Sequence, residues 1–174
     1  MKRLALLLLA VLLAACGPHP HHVADPVLEP TGAETVPTWV RQPETGTTVL
    51  TIPADLLFAV DSADLTDAAR TVLQQVLDEA RPAQARTLVE GYADSDGDAA
   101  HNQVLSERRA TAVAQWLTAN GVAPTSITTR GWGETRPAVA ETDDATKGQN
   151  RRVVVTVTST TKSNSNSNTQ GAQR

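Results

Sequence analysis

Asp94, Asn102 and Arg109 are the residues of this chain whose types and spacing could do chemistry together. They lie in the stretch "GYADSDGDAAHNQVLSERRATAVAQWLTANG", residues 91–121. An apolar stripe runs along the second half of it through Leu105, Ala112, Val113 and Trp116. Arg109 falls inside that stripe, four residues after Leu105 and three before Ala112, so its guanidinium is aimed at the core. A charge on the core face of a helix costs several kcal/mol unless it is paired and hydrogen-bonded. The nearest plausible partners, at the end of the preceding strand, are Asp94, Asp96 and Asp98, and Asn102 lies seven residues before Arg109 on the same face. The spacing predicts a polar pocket holding a carboxylate, an amide and a guanidinium. Two readings follow from the residues alone. One is an internal salt bridge pinning helix to sheet. The other is a site for a zwitterion, in which a carboxylate takes an ammonium and the planar guanidinium fork takes a carboxylate.

The elements that must position these groups can be read on either side. "TTVLTI" (residues 47–52) is β-branched and ends at Pro53, as a strand does. "LLFAV" is a second short apolar run. Thr66 then caps a helix with apolar positions Val72, Leu73, Val76, Leu77 and Ala80, ahead of Pro82. "RTLVEGYA" reads as a strand. Asp98 is the expected N-cap of the helix that carries Arg109, and Gly121 its expected C′ residue. "SITTRGW" and "RRVVVTVTS" read as further strands, the last with Val153, Val155 and Val157 on one face. This order predicts one α/β domain over residues 47–160, a two-layer βαβαββ sandwich with a mixed sheet and both helices on one face.

The flanks read differently. "MKRLALLLLAVLLAACG" has Lys2 and Arg3 ahead of an apolar run too short to span a bilayer, the pattern of a signal peptide over residues 1–15. "LAAC", residues 13–16, resembles a bacterial lipobox, which implies cleavage before Cys16 and lipidation of its thiol. Cys16 is the one cysteine of the 174-residue chain and stands where a lipobox needs it. Residues 16–46 carry recurrent prolines with no sustained period, and read as an extended tether reaching on the order of 90 Å at the polyproline rise. His19, His21 and His22 fall in that tether, where nothing nearby fixes a metal geometry. Residues 161–174 form a low-complexity polar tail too poor in apolar groups to fold.

Composition narrows the function. A net charge of -4 gives no basic stripe for nucleic acid. Calcium is a poor fit to "DSDGD": with Gly97 at the sixth position of an EF-hand loop, the first and twelfth positions become Tyr92 and Gln103. No G-x-S-x-G elbow is present and His101 is the single histidine of the domain, so catalysis is not expected, nor any cofactor or metal.

"VEGYADSDG", then "NQVLSERRA", "GWGETRP" and "NRRV" resemble, in order and separation, the motifs of the OmpA-like peptidoglycan-binding domain. That family includes peptidoglycan-associated lipoproteins and flagellar stator domains. "LLFAVDSADL" is similar to its first strand-to-helix turn. The resemblance covers about residues 49–158. It implies a peptidoglycan ligand, held by the end of a diaminopimelate side chain, which carries an ammonium and a carboxylate on one carbon. It implies Asp94 for the ammonium, Arg109 for the carboxylate and Asn102 as a hydrogen-bonding neighbour. Asp61 at the rim, Asp96 in the loop and Arg151 at the border complete the implied set. Tyr92 and Ala93 depart from the family's common His-Thr, and Gly148 stands out of the usual place before Asn150. The implied role is an envelope lipoprotein, membrane-bound through Cys16, that holds the cell wall. Gly17 after the cysteine, in place of an aspartate that retains such proteins at the inner membrane, implies the outer membrane where the cell has one and the outer face of the cytoplasmic membrane where it does not. The lipoproteins of the family also imply periplasmic protein partners. An interaction module with a structural Asp–Arg pair is the alternative, with Ser106, Glu107 and Arg108 expected on the outer side of the helix, where they could serve a partner.

Overall fold

A computed structural model describes residues 36–159. The expected signal peptide, the lipidation at Cys16, the histidines of the tether and the polar tail from residue 161 lie outside the described residues. Among those described, no helix is long and apolar enough to cross a membrane.

The β-branched run expected as a strand is β2 (Thr47–Pro53), and its alternation of half-buried and buried positions shows one covered face. It pairs antiparallel with β5 (Arg152–Ser159), which pairs antiparallel with β3 (Ala85–Gly91). β3 in turn pairs parallel with β4 (Ile127–Gly131). The helices α2 (Ala69–Ala80) and α3 (Ala99–Ala119) lie on one face. Their Leu73, Val76, Leu77, Val113 and Leu117 meet Leu50, Ile52, Val89, Val153, Val155 and Val157 of the sheet in a single core. The mixed two-layer sandwich is thus as the sequence predicts.

Its edges differ. The sheet has five strands in the order β1-β2-β5-β3-β4, and β1 (Thr38–Gln42) lies inside the segment read as tether. The domain therefore begins before residue 47, no later than Thr38. β1 is an edge strand with all five residues exposed, so it shows no in–out alternation, and flanking prolines mask the β-forming Thr38, Trp39 and Val40. A turn closed at Gly46 (φ 61°) joins it to β2, and an ion pair from Arg41 to Glu79 ties it to α2. Leu56 and Leu57 of the "LLFAV" run belong to a single helical turn, α1 (Ala54–Leu57), after which Phe58 bridges Leu65. A short α4 (Asp144–Asn150), closed by a reciprocal capping box between Asp143 and Thr146, precedes β5.

Two local predictions stand: Asp98 caps α3 through the His101 N–H, and Gly121 takes a positive φ just past α3. Thr66 is not the N-cap residue of α2, which is Ala68, but its Oγ1 accepts the Ala69 N–H at 3.2 Å from the turn before the helix.

Candidate functional site

α3 crosses directly over Gly91, the last residue of β3. A Cβ on Gly91 would stand 2.1 Å from the Ser106 carbonyl oxygen. This contact also corrects the expectation that Ser106 faces outward with Glu107 and Arg108. Ser106 is fully buried, and its hydroxyl donates to the Gln103 carbonyl and accepts from the Gly133 N–H. The chain passes through buried Tyr92 and Ala93 to Asp94, itself 6% exposed. Asn102, buried on the first turns of α3, holds the loop after Asp94. Its Nδ2 lies 3.2 Å from the Asp94 carbonyl oxygen, 2.9 Å from that of Asp96 and 2.9 Å from Glu134 Oε2.

Arg109 is where its spacing places it, 4% exposed on the buried side of α3. Its expected partner is different. Asp94 Oδ2 accepts from Arg151 Nη1 at 2.6 Å, and Arg151 also reaches Asp55 at 3.4 Å. Among the described residues Arg109 forms no ion pair with Asp94 or any other carboxylate. Its Nε donates to the Ser62 carbonyl at 2.9 Å, and the guanidinium carbon lies 5.4 Å from the centre of the Phe58 ring. The reason is reach: Arg151, entering β5 beside β3, meets the Asp94 carboxylate from the sheet, whereas Arg109 lies against the loop of Ser62. Burial pushes the Arg109 pKa down, opposed by the fields of Asp55 and Asp61. For Arg151 burial acts the same way, but the hydrogen bonds to Asp94 and Asp55 outweigh it and raise the pKa.

One open cleft of about 580 Å³ gathers Asp61, Asp94, Asp96, Asn102, Arg109 and Arg151, the six residues singled out in the sequence. Asp55 and His101 line it as well. Sequence reasoning passed over both. Asp55 carries no motif signal, and His101 was weighed only for catalysis. Asp61, in the left-handed region at φ 54°, accepts through Oδ1 from His101 Nε2 at 2.6 Å at the rim. Asp96 turns outward to Lys147 Nζ at 2.6 Å.

The loop after β4 ties to the loop after Asp94 through Glu141, which accepts from the Ser95 N–H. Asn150, fully buried, accepts from the Ala138 and Val139 N–H groups and donates to Val139 O and Glu141 Oε1. Hydrogen bonds from Ser95 and Asn150 hold the Glu141 carboxyl below its usual range. The Gly148 departure is accommodated inside α4. Among the described residues no three His, Cys, Asp or Glu side chains are grouped to hold a metal ion. The cleft instead presents a carboxylate and a buried guanidinium whose Nη atoms have no carboxylate partner, groups suited to the two ends of a zwitterion.

Comparison with known proteins gives consistent results. The OmpA family profile matches residues 57–152, more than half of the chain. Outer membrane protein A of Shigella flexneri is 36% identical over 108 residues, 60% of this chain and 31% of that protein. Outer membrane protein A of Bordetella avium is 36% identical over 103 residues, 59% of this chain and 53% of that protein. The chain thus spans 31–53% of the length of these relatives. Among solved structures, the cell wall anchor of the T6SS from Pseudomonas aeruginosa superposes with a TM-score of 0.63 at 30% identity, covering 70% of this chain and 87% of that one. The peptidoglycan-associated lipoprotein from Burkholderia pseudomallei gives 0.54 at 28% identity, covering 59% and 87%. The profile spans both the strand end that bears Asp94 and the helix that bears Arg109, and on this match the chain belongs to the OmpA family.

Proposed function

We propose that this chain is an envelope lipoprotein whose OmpA-like domain binds peptidoglycan without a covalent bond, through the free end of diaminopimelate in the stem peptide. One observation carries the reading: Arg109 is almost wholly buried, has no carboxylate partner among the described residues, and lines a cleft that also holds Asp94. A buried guanidinium without a counter-charge is costly, and a ligand carboxylate supplies one. Asp94 and Asp61 on the same cleft offer negative charge to the ligand ammonium, and Asp94 accepts it by sharing or releasing Arg151. The similarity to a cell wall anchor and to a peptidoglycan-associated lipoprotein supports the same assignment. The cleft recognises charge and holds it, so the protein is a binder and not a catalyst. The lipobox-like residues 13–16 support lipidation at Cys16, which places the domain on a membrane, the outer one where the cell has two.

The Asp94–Arg151 bridge at 2.6 Å favours a second reading, a structural pair within a protein-interaction module. Sedimentation of the full chain with purified diaminopimelate-type sacculi separates the two. Wild type is expected in the pellet and Arg109→Leu in the supernatant. Equal sedimentation of both, or of neither, removes the wall-binding site from Arg109 and leaves the interaction module.

A further inference from the structure

Arg151 stands between two carboxylates. Its Nη1 donates to Asp94 Oδ2 at 2.6 Å, and its Nη2 lies 3.4 Å from Asp55 Oδ2. All three residues line the cleft with Arg109. The Arg151 backbone is held on both sides. Its N–H donates to the Lys147 carbonyl at 3.0 Å, and its carbonyl accepts from the Ala54 N–H at 2.9 Å. That second bond fixes Arg151 beside α1, where Asp55 follows Ala54. Gly148 flanks Nη2 without a side chain of its own; a Cβ there would stand 3.5 Å away. The two carboxylates differ in their surroundings. The Asp94 side chain is 9% exposed, and that of Asp55 is 52% exposed.

We propose that Asp55 is a positioning residue, which takes over the Arg151 guanidinium when a ligand ammonium claims Asp94. The proposal rests on the wall-binding reading above and deepens it, because it makes Arg151 a built-in competitor that regulates the site. An ammonium can pair with Asp94 only if Arg151 yields. Yielding alone would leave a second guanidinium in the cleft, beside Arg109, with no counter-charge. Asp55 removes that cost. A turn of the guanidinium from Asp94 towards Asp55 exchanges one ion pair for another and frees the buried carboxylate. The ligand end is a zwitterion, so no net charge enters, and each cation finishes with one carboxylate: the ammonium with Asp94, Arg109 with the ligand, Arg151 with Asp55. The pair with Asp55 is the more exposed and so the weaker, and Arg151 returns to Asp94 when the ligand leaves.

The test is titration calorimetry of the full chain with free meso-diaminopimelate. Asp55→Asn is expected to bind about fivefold more weakly than the wild type, the reach of one partly exposed ion pair, and Asp55→Glu to recover most of the loss. Arg151→Gln is expected to bind more tightly than the wild type, since nothing then competes for Asp94. In that background the further change Asp55→Asn is expected to alter the affinity by less than about twofold, because no guanidinium remains to be received. Wild-type affinity in Asp55→Asn overturns the proposal while leaving the wall-binding reading intact. So does an equal loss in both backgrounds, which would make Asp55 a direct partner of the ligand. Lost binding in Arg151→Gln overturns it too, since Arg151 would then hold the ligand rather than yield to it. Absence of binding in the wild type overturns the wall-binding reading and this proposal with it.

Discussion

Arg109 shows how far a residue's charge and its surroundings are at odds. Its neighbours on the buried side of α3 include Ala110, Val113 and Leu117, and among the described residues its guanidinium donates to the Ser62 carbonyl and lies over the face of Phe58. Replacing a buried charge by an apolar side chain of similar reach is often neutral or stabilising, by about 1–4 kcal/mol. Arg109→Leu is therefore expected to melt at the same temperature as the wild type or higher, in the absence of ligand. Thermal denaturation followed by circular dichroism checks this; a loss of about 2 kcal/mol or more would mean that the tie to Ser62 is the purpose of the residue. The burial of Arg109 was legible in the sequence because a helix has a fixed period. Its partner was not. Periodicity tells which face a side chain occupies but not which of several nearby groups it reaches. The Asp94 carboxylate is met by Arg151, 57 residues away in sequence and adjacent only once β5 pairs with β3.

At the scale of elements, the site depends on how closely α3 lies on β3, since α3 carries Asn102 and Arg109 while the end of β3 leads into Asp94. Gly91 permits that approach. In Gly91→Ala the new methyl would stand 2.1 Å from a backbone oxygen, which cannot rotate away as a side chain can. The helix must shift, at a cost expected near the upper end of the roughly 1–3 kcal/mol typical of overpacking. A lowered urea midpoint with an unchanged slope, together with weakened sedimentation on sacculi, is the expected result. An unchanged midpoint would show that α3 is free to ride outward. Elements with strong periodic or capping signals were legible: α2, α3 with Asp98 and Gly121 at its ends, β2, β3 and β5. β1 and α4 were not. An exposed edge strand has no alternation to read, and a seven-residue helix holding Gly148 has little propensity of its own. Ser106 was assigned to the wrong side because a serine reads as polar surface, whereas here its hydroxyl supports Gly133.

For the molecule as a whole, the proposed wall-binding cleft and the proposed lipid at Cys16 would make two attachments on one chain. Each grip on the wall is expected to be weak, and attachment to come from many copies acting in parallel. The two attachments are separable by mutation. In cell fractionation the wild type is expected to stay with membranes after the wall is digested. Cys16→Ser is expected to become soluble after the same digestion, yet to sediment with intact sacculi as the wild type does. Arg109→Leu is expected to do the reverse, remaining in the membrane and leaving the wall. The double variant then loses both, and its release without digestion would show that no third attachment holds the protein. A Cys16→Ser chain that remains in the membrane fraction after digestion would remove the lipid anchor from the proposal, while leaving the cleft and its chemistry untouched.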